Sequence, residues 1–89
     1  AAVAVCRRGG ASATFDRLNK YFTIMNMPVV PSQYWNSVHG RLPGEVREDA
    51  EGLQTMRVLA RNMARLLKAG VGPALAPEAE ERQWTHFIR

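Results

Sequence analysis

The chain has 89 residues, 46% of them apolar and 22% charged, with a formal charge of +4 and a single cysteine. That balance is ordinary for a globular domain, and one cysteine excludes an internal disulfide and leaves no set of thiols for a metal cluster. The twelve basic residues are scattered through loops, helices and tail, so no nucleic-acid partner is expected. No stretch is long and apolar enough to span a membrane, and a lone thiol fits a reducing compartment, so the expectation is a cytoplasmic protein with no membrane partner.

The chain opens on an apolar run, residues 1–6, that breaks into Arg7-Arg8-Gly9-Gly10. A run without polar alternation predicts a parallel strand buried on both faces and covered by helices. Ligands of open α/β sheets bind beyond the carboxyl ends of the strands, which makes the 7–12 loop the first candidate site. A buried parallel strand needs neighbours, and only one other is visible downstream. Two strands do not make a stable parallel sheet. The expectation is therefore the carboxyl-terminal part of a longer α/β domain, or a chain that oligomerises to complete its sheet. Cys6, at the end of the run, reads as a structural thiol.

Ser12 or Thr14 is expected to cap a first helix running to about Asn26. Phe15, Leu18, Phe22 and Met25 recur at three- and four-residue intervals, while Asp16 and Lys20 sit on the opposite side. Residues 27–30, bracketed by Pro28 and Pro31, read as a second strand at a sheet margin. Strand, helix and strand then form a right-handed parallel crossover, which puts the following loop on the same rim as residues 7–12.

That loop, residues 32–44, has no period and carries Tyr34, Trp35, Asn36 and His39. Its aromatics suit the wall of a flat ligand site and suit a subunit interface equally well. Glu45, Glu48, Asp49 and Glu51 crowd the start of a second helix, which Gly70 ends. Leu53, Met56, Ala60, Met63 and Leu67 form its expected core stripe, widened by Leu59 and Leu66. Arg57, Arg61 and Arg65 read as a solvated ridge. Residues 1–70 are thus one structural unit and 71–89 a linker and docking tail, with Trp84, Phe87 and Ile88 as its apolar anchors. His39 and His86 have no metal-ligand spacing and no evident carboxylate or thiol partner, so no metal site and no catalytic side chain is expected.

Cys6-Arg7-Arg8-Gly9-Gly10, Met25-Asn26-Met27, the run from Ser32 to Gly40, Asp49-Ala50-Glu51-Gly52 and Asn62-Met63-Ala64, in this order and spacing, resemble the carboxyl-terminal half of flavodoxin-fold NAD(P)H-dependent FMN reductases. The resemblance implies an α/β, partial flavodoxin-like three-layer fold in which this chain supplies the last two parallel strands and their following helices. It implies FMN as cofactor and NAD(P)H as reductant, with hydride passing through flavin to a small-molecule acceptor such as a quinone or free flavin. Arg7, Arg8, Gly9, Gly10 and Ala11 would border the flavin ring, Tyr34, Trp35 and Asn36 would shape the outer pocket, and a homo-oligomer is expected. The family's phosphate-binding loop has no counterpart in these residues, so they should bind FMN poorly by themselves. The alternative is a non-enzymatic flavodoxin-like electron carrier or protein-interaction module.

Overall fold

A computed structural model describes residues 1–71 and 80–87. The expected linker, apart from Val71, lies outside the described residues, as does the tail residue Ile88. Among the described residues the elements run β1 (Ala4–Cys6), α1 (Ala11–Ile24), β2 (Ser37–His39), a short 3-10 turn (Glu45–Glu48) and α2 (Ala50–Lys68). The strands pair in parallel, Ala4 opposite Ser37, Val5 opposite Val38 and Cys6 opposite His39. The chain is α/β, two parallel strands each followed by a helix, as a partial flavodoxin-like fold requires.

The second strand is not where the residue pattern put it. Residues 27–30 form no strand, and the pairing falls to Ser37–His39, inside the stretch read as loop. Pro28 and Pro31 have no amide hydrogen to give a ladder, so 27–31 runs as irregular chain. It is held by Asn62 of α2, whose Nδ2 donates to the Pro31 carbonyl at 2.9 Å. A three-residue strand with Ser37 and His39 on one side and Val38 on the other carries too little apolar pattern to announce itself.

In a parallel register, side chains alternate between faces. Ala4 lies 3% exposed on the face covered by α1, and Val38 lies 6% exposed on the opposite face, under α2. Val5 shares the Val38 face but remains 66% exposed. Helix α2 packs along β2 and not β1, so the strand expected to be buried on both faces is covered on one.

Helix α1 follows the apolar spacing, with Phe15, Leu18 and Phe22 half-buried, but Met25 stands exposed beyond its end. There Asn26 adopts a left-handed φ of 55°. Its amide donates to the Thr23 carbonyl at 3.1 Å and that of Met27 to Phe22 at 2.9 Å, which satisfies the terminal carbonyls of the helix. On α2 the buried line is Gly52, Thr55 and Leu59. Ala60 and Leu67, expected in the core stripe, are exposed. The apolar period is right and its centre is rotated, because the helix meets the sheet at small residues that allow close approach.

Gly52 marks the tightest point. A Cβ there would collide with the carboxylate of Asp49 and come within 2.9 Å of Val38 Cγ1. Alanine normally favours a helix interior over glycine by up to about 1 kcal/mol, yet here overpacking reverses the sign. We expect Gly52→Ala to lower stability by about 1–3 kcal/mol in urea unfolding; a stabilised variant would refute this packing.

Candidate functional site

Beyond Cys6 the chain crosses Arg7 and Arg8 and enters α1 through Gly9 and Gly10. Gly10 occupies the N-cap with φ 91°, and among the described residues no side chain accepts from the first turn. The expected Ser12 or Thr14 cap does not form, because the left-handed glycine takes the cap position and leaves both hydroxyls inside the first turn. The first intrahelical bond runs from the Thr14 amide to the Gly10 carbonyl at 3.0 Å. The amides of Ala11, Ser12 and Ala13 are thus left without intrahelical acceptors at the positive end of the helix.

Arg8, Gly9, Gly10 and Ala11 line one side of a groove of about 190 Å³, with Tyr34 and Trp35 on the other and Ser37 and His39 of β2 between them. The loop that opens the chain and the aromatic loop therefore meet. They do so by a route different from the expected one, since Tyr34 and Trp35 precede β2 instead of following a strand. The Ser37 amide donates to the Trp35 carbonyl at 2.7 Å, a tight reversal around Asn36 that folds the aromatics back beside the strand. Their ring centroids lie 5.1 Å apart, tilted by 46°, and both rings are more than half exposed.

Asn36 is 2% exposed and its side chain is engaged internally. Nδ2 donates to the Ala2 carbonyl at 3.0 Å, and Oδ1 accepts from the Ser32 hydroxyl at 2.7 Å. Its carbonyl also accepts from the Ala4 amide at 2.9 Å. Asn36 is therefore the joint between the aromatic loop and β1, and it does not line the groove. Gln33 adds a bond to Gln54 of α2 at 3.1 Å. Arg7 is exposed and likewise lies outside the groove lining.

A second groove, of about 250 Å³, continues past Tyr34, Ser37 and His39 to Asp49, Glu51 and Thr55 at the start of α2. Ligand pockets usually span ~300–1,000 Å³; each groove alone falls short, and the two share three residues. One end presents Arg8 and free amides, the other Asp49 and Glu51.

Asp49 organises that second end. Its Oδ1 accepts from the Gly52 amide at 2.9 Å, which caps α2, and its Oδ2 accepts from the His39 amide at 2.8 Å. His39 Nδ1 lies 3.3 Å from the same Oδ2. His39 was read above as lacking a carboxylate partner; the structure supplies one ten residues along, through a turn the spacing did not reveal. The amides of Gly52 and then His39 hold the Asp49 carboxyl below its ordinary pKa. Glu45 is lowered in the same way, by the Leu42 and Arg41 amides that close the turn before the 3-10 segment. Among the described residues, no group of three or more His, Cys, Asp or Glu side chains is placed to hold a metal ion.

No family model matches this chain, and no solved structure does. Its sequence is similar to an iron-sulfur flavoprotein of Methanocaldococcus jannaschii, 32% identical over 72 residues. The match takes in 75% of this chain and 37% of that protein, so the chain spans little more than a third of the curated relative it matches.

The Asp49 network carries a pH signature. Because folding lowers the Asp49 pKa, its stabilisation is complete above the ordinary carboxylate value of about 3.9 and is lost as pH falls through the lower folded-state value. We expect Asp49→Ala to cost about 0.5–2 kcal/mol at neutral pH, the usual range for losing a cap. Urea unfolding of both proteins should show this gap closing in acid; a gap that persists unchanged there would contradict the assignment.

Proposed function

We propose that this chain forms part of an FMN-dependent NAD(P)H oxidoreductase and that the groove between the 7–12 loop and Tyr34-Trp35 borders the flavin ring. The observation that carries the reading is the meeting of an uncapped helix start and Arg8 with two exposed aromatic rings across one groove. Similarity to a flavoprotein supports it independently.

The residues fit a flavin. Free amides at Ala11 and Ser12 suit the carbonyl and nitrogen edge of an isoalloxazine, and the open space beside Gly9 and Gly10 leaves room for backbone approach. Arg8 adds positive charge, which favours the reduced, anionic ring. Tyr34 and Trp35 offer a wall against which a planar ring excludes water. When bound, flavin supplies the hydride chemistry, accepting from NAD(P)H and passing electrons to a small-molecule acceptor. The chain's own residues bind and orient it.

Iron-sulfur clusters are held by several cysteine thiolates. This chain has one, the half-buried Cys6, so its residues do not fit a cluster and none is assigned. A phosphate-binding loop, which the family places after an earlier strand, is likewise supplied by none of these elements. Trp84 and Phe87 are 78% and 88% exposed, and they favour a contact with a second subunit in an oligomer.

In the intact protein, bound flavin should be visible by absorbance and NADPH should bleach it; a colourless protein that does not oxidise NADPH would leave the interaction-module reading. Residues 1–89 alone should bind FMN with a Kd no tighter than ~0.1 mM, or about −5.5 kcal/mol. Tight binding by this piece would show that its groove needs no phosphate site from elsewhere.

A further inference from the structure

We propose that His39 is the proton-transferring residue of this groove, serving an acceptor of the quinone class, and that Asp49 is its positioning residue. The inference rests on the flavin reading above and adds to it a side chain that takes part in the chemistry.

His39 stands where the two grooves join, with its side chain 47% exposed. One oxygen, Asp49 Oδ2, receives the His39 amide at 2.8 Å and faces its Nδ1 at 3.3 Å. Two contacts from one residue to one atom fix the ring relative to the strand. Asp49 is in turn fixed by the Gly52 amide. An ionised carboxylate only accepts, so Nδ1 carries the hydrogen and Nε2 is the free position. Among the described residues nothing hydrogen-bonds to Nε2.

The neighbouring groups are less suited to the task. Arg8, a donor-only guanidinium, serves as fixed positive charge. Asp49 is occupied by two amides, and Glu45 by the turn at residues 41–42. Glu51 sits exposed in the first turn of α2, and Cys6 lies in the adjoining strand. An imidazole can donate from one ring nitrogen while the other holds its hydrogen, and the 47% exposure of the His39 side chain admits water.

Reducing a quinone to a hydroquinone takes a hydride equivalent and one proton. Arg8, the amides of Ala11 and Ser12 and the Tyr34-Trp35 pair would hold the flavin, which would supply the hydride equivalent at the expense of NAD(P)H, oxidised to NAD(P)⁺; the hydrogen of that hydride ends on one quinone oxygen. Both carbonyl π bonds of the acceptor are lost as its ring becomes aromatic, and the second oxygen forms its O–H bond with the proton released from Nε2 of the His39 ring. The ring is left neutral and is reprotonated from solvent. The sum is quinone plus NAD(P)H plus a proton, giving hydroquinone plus NAD(P)⁺.

The test is His39→Gln in the intact protein, a change at a half-exposed side chain that keeps the backbone bond to Asp49. Flavin content and the rate of flavin reduction by NADPH are measured in the same variant, and each reoxidation rate is expressed per bound flavin, because His39 also lines the groove. Reoxidation by a soluble para-benzoquinone should fall by ~10²-fold and partly recover with added imidazole. Reoxidation by ferricyanide, which takes electrons without a proton, should fall far less than reoxidation by the quinone. Apart from turnover, nitrogen NMR of His39 in the wild type should find the hydrogen on Nδ1, and Asp49→Asn should redistribute it. A variant that keeps flavin and reduces the quinone at the wild-type rate would overturn the role of His39 alone, as would equal losses with quinone and ferricyanide. An intact protein that binds no flavin would overturn the reading beneath it as well.

Discussion

A single carboxylate joins the sheet to the helix that covers it. Asp49 takes the amide of Gly52 with one oxygen and the amide of His39 with the other, so the cap of α2 and the outer edge of β2 share one group. An edge strand presents unpaired amides, and a helix start presents four more; here the same side chain answers both. The arrangement demands that α2 approach closely, which is why a glycine faces Val38 and Asp49 at that point. From it follow the burial of Val38, the placement of Thr55 beneath the groove and the orientation of the His39 ring.

The two helices begin in opposite ways. Helix α2 is closed by Asp49, while α1 starts at a left-handed glycine with no side-chain acceptor. A helix start left open beside arginine is a place where negative charge is stabilised. The aromatic wall opposite is held firmly for a loop. Asn36 ties it to β1, Ser32 closes it on itself, and Gln54 and Asn62 fasten it and the preceding segment to α2. Rigid support beneath an exposed Tyr-Trp pair suits a flat ligand, since little ordering is left to do on binding.

The exposed face of Val5 and the small core belong to the same geometry. Among the described residues each helix covers part of a sheet two strands wide, and the buried apolar residues are Ala4, Ala11, Val38 and Leu59. Such a sheet is marginal without further cover. The matched flavoprotein is much longer than the aligned stretch, and each of the two grooves is smaller than a usual ligand pocket.

The amino-acid order by itself determined what depends on local physics: the apolar run of β1, the periods of α1 and α2, the acidic start and glycine stop of α2, and the Arg-Gly and Tyr-Trp segments as binding candidates. Tertiary structure alone decided the rest. Ser37–His39 became a strand because β1 offered it a ladder, whereas the more apolar 27–30 segment is interrupted by Pro28, followed by Pro31, and has its Met27 amide committed to the Phe22 carbonyl. Asn36 moved from candidate ligand contact to buried joint because its amide meets the Ala2 carbonyl, 34 positions away in the chain. His39 gained its carboxylate partner through a turn closed by Glu45 and Asp49. These are contacts between groups distant in sequence, and no local propensity or spacing encodes them.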